Sequence, residues 1–136
     1  MLNASWDTIR LFLHVLGATV WVGGQIVLAG LVPTLRSIDP QAPRLAAQRF
    51  NRIAWAGFAL LVATGIWNLL AIDVGGTTTA YQATLALKLV AVAVAAVGAA
   101  LHSLSRTKAG LAAWGAIGLV GSLGALFLGV LLLSPA

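Results

Sequence analysis

From Ile9 to Pro33 the chain carries one charged residue, Arg10. The run is long enough to cross a bilayer, for which roughly 20 apolar residues suffice. Three further stretches, about 50–72, 81–104 and 111–133, read the same way. A backbone surrounded by lipid finds no water to bond, so each stretch must satisfy its own N–H and C=O groups as a helix. Composition agrees: 60% of residues are hydrophobic and 8% charged, with a mean hydropathy of +1.00. A soluble domain carries about a quarter charged residues. Four spans joined by short loops predict an all-α fold, an integral membrane four-helix up-down-up-down bundle with residues 1–136 as a single transmembrane domain.

The charges report topology. The net charge is +5, but Arg36, Arg44, Arg49 and Arg52 gather around the first loop, and Arg106 and Lys108 in the third. With no soluble surface to carry them, nucleic-acid binding is excluded. The positive-inside rule makes the chain a multi-pass protein of the inner or plasma membrane, with both termini outside the cytoplasm. Met1 to Thr8 lacks a basic region ahead of a short apolar core, so a removable signal peptide is not expected. Ser5 or Asp7 is suited to cap the first helix. Pro33 is expected to close it, Leu45–Arg52 to form an early interfacial turn of the second, and Ser134-Pro135 to end the fourth.

The chain contains no cysteine, and its one methionine is Met1. Disulfides, thiolate metal sites and covalent haem attachment are therefore excluded, as are the soft donors that cuprous ion prefers. What remains is imidazole, amide and amine. His14, Trp21 and Gln25 lie at spacings of seven and four, on one side of the first helix. Polar groups in a membrane helix face protein rather than lipid, so this stripe is expected to point inward, with Gly17, Gly23 and Gly24 thinning the helix nearby. With the predicted topology, His14 lies about 7–8 Å and Lys88 about 10 Å inside the outer ends of their spans, nearly level. No carboxylate is buried to pair with Lys88, and an anionic ligand would meet that need. Tyr81, Lys88, Ala95 and His102 recur every seven residues on one face of the third helix, with His102 about 21 Å below Lys88. That depth makes His102 an interfacial histidine and only a minor metal candidate. In the fourth helix, Gly115, Gly118, Gly121, Gly124 and Gly129 permit close approach of another helix, a second copy, a partner or a flat ligand.

His14-Val-Leu-Gly-Ala-Thr-Val-Trp21-Val-Gly23-Gly24 resembles the first helix of the copper-resistance protein D (CopD) domain, where a histidine precedes a tryptophan and paired glycines. Arg49-Phe50-Asn51-Arg52-Ile53, Thr64-Gly65-Ile66-Trp67-Asn68 and Leu87-Lys88-Leu89 are similar to that family too. The architecture is shared with the HemJ-type protoporphyrinogen oxidases. In those proteins a first-helix histidine and a third-helix lysine, here His14 and Lys88, are implicated in haem b binding and activity. The chain departs from the HemJ pattern after Gly24: that family's Pro-Arg-aromatic segment and following histidine are missing.

The resemblance implies a haem b protein engaged in electron transfer or oxidoreductase chemistry. His14 is the expected axial ligand, with Trp21 against the macrocycle and Gly17 and the fourth-helix glycines giving it room. Lys88 or Arg10 would face the propionates, Lys88 being also a possible second axial ligand, and Gln25 would complete the polar stripe. Two histidines are too few for a dihaem cytochrome within one chain. The alternatives are copper uptake or resistance through His14, Gln25, Asn68 and His102, and a cofactor-free accessory subunit whose fourth helix docks a partner or a second copy.

Overall fold

The computed structural model describes residues 3–134; Pro135, half of the expected stop after the fourth helix, lies outside them. Four helices are long and apolar enough to cross a membrane: Trp6–Ile38, Ala42–Leu70, Thr79–Leu104 and Lys108–Leu133. The first is continuous but composite. It consists of α1 (Trp6–Ala18), a π-helical turn at Thr19–Gly23, and α2 (Gly24–Ile38). The others are α3 (Ala42–Leu70), α4 (Thr79–Leu104) and α5 (Lys108–Leu133). The chain divides into two compact units, Met1–Asp73 and Val74–Ala136.

Each helix begins earlier than the hydropathy suggests, and a hydroxyl cap sets the start of all but α3, which opens on Gln41 and Pro43. Ser5 accepts from the Thr8 N–H at 3.2 Å, Thr78 from Tyr81 at 3.2 Å, and Thr107 from Gly110 at 3.0 Å. Of the two candidates for the first cap, Ser5 is the one used. One further boundary is corrected. Pro33 does not close the first span; it lies inside α2, which runs on to Ile38. One lost hydrogen bond is tolerable there, whereas Asp39 is pushed out of the helical region by the proline that follows it. Asp39 is extended (φ −154, ψ 133), and its carboxylate accepts from the Gln41 N–H at 2.6 Å, giving the chain an alternative to another turn. The early start expected for the second span at Leu45–Arg52 is met and exceeded: α3 is unbroken from Ala42, with Pro43 in its first turn and strong helix formers after it.

In the first unit, α1 and α2 run antiparallel to α3. Going down the seam, Gly17 lies against Gly57 and Leu61, Val20 against Gly57, and Gly24 against the Phe50 ring. Trp21 is buried in an aromatic cluster, 5.3 Å from Trp55 and 4.5 Å from Phe58 between ring centroids. Two side chains serve carbonyls around the wide π-turn: Thr19 Oγ1 donates to Val15 O at 2.9 Å and Gln25 Nε2 to Trp21 O at 3.0 Å. In the second unit, α4 and α5 are also antiparallel and closer still. Gly98 meets the Gly118 backbone, and Gly121 meets Ala95 and Ala91.

The exposure pattern is that of a protein dissolved in lipid. Outside the π-turn, which buries Trp21 and Val22, the buried positions are small or polar (Gly57, Thr64, Ala95, Gly118 and Ser122 among them), while Phe127 and Val120 are 64% and 70% exposed. Small residues bring backbones together where lipid gives large apolar side chains no reason to hide. The molecule is a multi-pass membrane protein. Not every glycine serves packing, however: a Cβ on Gly30 would meet nothing within 4 Å. Gly30→Ala is therefore expected to stabilise α2 by about 0.5–1 kcal/mol, measured by reversible unfolding in mixed micelles.

Candidate cofactor site

His14 sits on the face of α1 that packs against α3, four residues after Arg10 and three before Gly17. Its Nδ1 lies 2.9 Å from Thr64 Oγ1, and its Cε1 lies 3.5 Å from where a Cβ on Gly65 would be. Thr64 is 3% exposed, and its hydroxyl donates to Leu60 O at 2.7 Å. A hydroxyl has one proton. With that proton on the Leu60 carbonyl, Thr64 Oγ1 can only accept from the imidazole. His14 is thereby held with its proton on Nδ1, and in the neutral ring Nε2 is the acceptor nitrogen. This is the relay by which a hydrogen bond on one ring nitrogen fixes the other as a metal donor.

One turn nearer the N-terminus of α1, Arg10 is 9% exposed, and one of its terminal nitrogens lies 3.1 Å from Asp7 Oδ1. Arg10 Nε is buried with no hydrogen-bond partner; so is Asn68 Oδ1, one turn beyond Thr64 on α3. An unsatisfied buried polar atom in a folded protein calls for an explanation. Arg10 Nε is a donor wanting an acceptor that the described residues do not supply.

The other candidates are placed as follows. Gly17 is buried at the α1–α3 contact, where an added Cβ would lie 3.0 Å from Gly57 O. The seam between these two helices is closed there, so Gly17 makes room for a helix. Trp21 packs on Trp55 and Phe58, and Gln25 bonds within its own helix. In the second unit, the face carrying Lys88, Ala95 and His102 is the one that packs on α5. Lys88 Nζ lies 3.3 Å from where a Gly129 Cβ would be, so its stem crosses the α5 backbone in space that glycine leaves open. His102 Nδ1 donates to Leu111 O at 2.7 Å with its ring over Gly115, joining the two helices beside the Ser105–Thr107 turn. Gly115, Gly118, Gly121, Gly124 and Gly129 all face α4. Among the described residues, no three His, Cys, Asp or Glu side chains converge as a metal-ion site.

Sequence reasoning missed Thr64 as the partner of His14 and named Asn68 only as a candidate copper donor. Their signal was present: Ala54, Gly57, Leu61, Thr64 and Asn68 recur at intervals of three and four, a small-and-polar stripe that marks a helix-facing surface in lipid.

No curated protein and no solved structure matches the chain. A protein-family model, copper resistance protein D, matches residues 44–133. The match takes in nearly all of α3 and the whole of α4 and α5, with Thr64, Lys88 and His102, and stops short of His14. The matched segment is most of the chain and contains three of its four membrane-capable helices. The chain belongs to the copper resistance protein D family.

Proposed function

We propose that this is a haem b-binding membrane protein in which His14 supplies the axial nitrogen to iron, serving electron transfer or redox chemistry in the membrane. The observation that carries the reading is the chain from His14 to Thr64 to the Leu60 carbonyl, which leaves Nε2 as the donor nitrogen. The available donors favour haem over a bare ion. A porphyrin brings four nitrogens and asks the protein for one imidazole, an apolar wall and cations for its propionates. Arg10 offers an unsatisfied buried N–H one turn from His14, suited to a carboxylate. Lys88, in the other unit, is a second cation in an apolar helix. Bound haem supplies one-electron chemistry at iron. The chain's part is to hold the imidazole tautomer, to present apolar side chains and to neutralise carboxylates. On the same reading the membrane is the inner or plasma membrane, with the termini extracytoplasmic and the arginine-rich turn inside.

Copper is the second reading, favoured by the family's description. Cuprous ion prefers thiolate and thioether, and the chain offers no cysteine and only Met1.

The test is the visible spectrum of protein expressed with haem available, oxidised and then reduced, with copper and iron measured on the same sample. A Soret band and stoichiometric iron are expected. A colourless protein holding copper would replace the first reading by the second. Thr64→Val, which keeps shape and removes the acceptor, is expected to weaken haem retention about 10- to 100-fold, measured by haem transfer to an apo-globin.

A further inference from the structure

The two arginines that bracket Phe50 are in an unusual position for a basic loop. The Phe50 ring packs on Gly24, and Gly24 lies well inside the 33-residue first span. Beyond that level α2 continues, apolar but for Thr34, from Ile26 to Leu35, about 14 Å at 1.5 Å per residue. Arg49 and Arg52 therefore stand beside an apolar helix, well short of its tip. Counting back from the other end gives the same depth: about 20 residues span the hydrocarbon, and 20 back from Leu70 is Phe50. Both guanidinium groups belong to exposed residues. No acidic residue occurs between Pro40 and Ile72, and the ion pair found among the described residues is Arg10 with Asp7. Among the described residues, no acidic side chain pairs with these two cations.

Arg49 and Arg52 lie three residues apart, on one side of α3. With Gln48 and Leu45 they line a surface cleft of about 230 Å³. Two guanidinium forks and a carboxamide make a donor array for a phosphate, which arginine binds in bidentate fashion. Leu45 adds an apolar edge. A headgroup bearing its own ammonium would bring a positive charge towards two arginines; one adding no cation would not.

We propose that this cleft holds the phosphodiester of an anionic phospholipid, gripped by Arg49 and Arg52, and that the bound lipid fixes the depth of α3. The test is lipid binding to the whole protein in neutral detergent, titrated with phosphatidylglycerol or phosphatidylcholine and read by native mass spectrometry. The wild type is expected to favour phosphatidylglycerol about tenfold. The preference should be lost in R49Q/R52Q, retained in R106Q/K108Q, and unmoved by millimolar inorganic phosphate. Equal binding of the two lipids by the wild type, which needs no variant to fold, overturns the proposal. So does equal loss in both double variants, which would mean general charge attraction, or displacement by inorganic phosphate, which would mean a free-anion site.

Discussion

His14→Ala is expected to yield a colourless protein: the Soret band disappears and haem iron falls to background, while His102→Ala keeps both. The effect is large because, on the proposed reading, the imidazole supplies the axial bond to iron. Arg10 and the apolar wall can orient a porphyrin but cannot ligate it. The comparison is sharp because both histidines donate from Nδ1, to Thr64 Oγ1 and Leu111 O respectively. Both rings thus bond through the same nitrogen and differ in position. Misfolding is a weak competing explanation for a loss. Without the imidazole, Thr64 Oγ1 still donates to Leu60 O at 2.7 Å, so no buried proton donor is orphaned. A single inter-helix hydrogen bond in a membrane protein is worth about 0.6 kcal/mol. Helix content by circular dichroism and micelle unfolding should thus stay near wild type while the spectrum changes completely. An unchanged Soret band in His14→Ala would move the iron elsewhere, and a band lost equally in His102→Ala would mean that the two histidines serve one centre.

How much of this was legible in the chain can be argued residue by residue. Span number and helix type followed from hydropathy alone, since lipid leaves a buried backbone no alternative to helix. Helix starts were legible in part: Ser5 was one of two candidate caps, while Thr78 and Thr107 fell outside the expected spans though they do the same work. Pro33 misled because a proline in a membrane helix costs one hydrogen bond, whereas Asp39-Pro40 combines a steric push with a side-chain turn. The inward stripe was half read. His14 and Trp21 do lie in the α1–α3 seam, but the full stripe is Arg10, His14, Gly17, Trp21 and Gly24, and Gln25 is occupied within its own helix. What the sequence could not supply was register between helices. His14 and Thr64 are 50 residues apart, and a slip of one turn would have paired His14 with Leu60 or Asn68 instead. The same uncertainty hid the depth of Arg49 and Arg52, which looked like loop charges until the Gly24–Phe50 contact gave their level.

Gly98→Ala is expected to be among the most damaging single-methyl changes in the chain. A Cβ at Gly98 would lie 2.5 Å from Gly118 N and 2.6 Å from Gly118 Cα. Those are backbone atoms of a helix, so no rotamer change can relieve the overlap; α4 and α5 must move apart. Separation also loosens the neighbouring levels, where Gly121 meets Ala95 and Gly129 leaves space for the Lys88 stem. Overpacking of this kind costs about 1–3 kcal/mol, enough to outweigh the gain of about 0.5–1 kcal/mol that alanine brings over glycine in a helix. Gly118→Ala should cost less, its nearest clash being 3.1 Å to Ala99 N, and Gly124→Ala should be neutral or stabilising, since its Cβ meets Ala91 Cβ at an ordinary 3.9 Å. Reversible unfolding in mixed micelles would order the three. The ranking separates tight helix packing from mere tolerance of small residues: if the glycines only kept α4 and α5 slim for lipid or a partner, all three alanines would behave alike. A graded loss, largest at Gly98, is the result that close backbone contact requires, and with it Lys88 should become more accessible to amine-reactive reagents as the helices part.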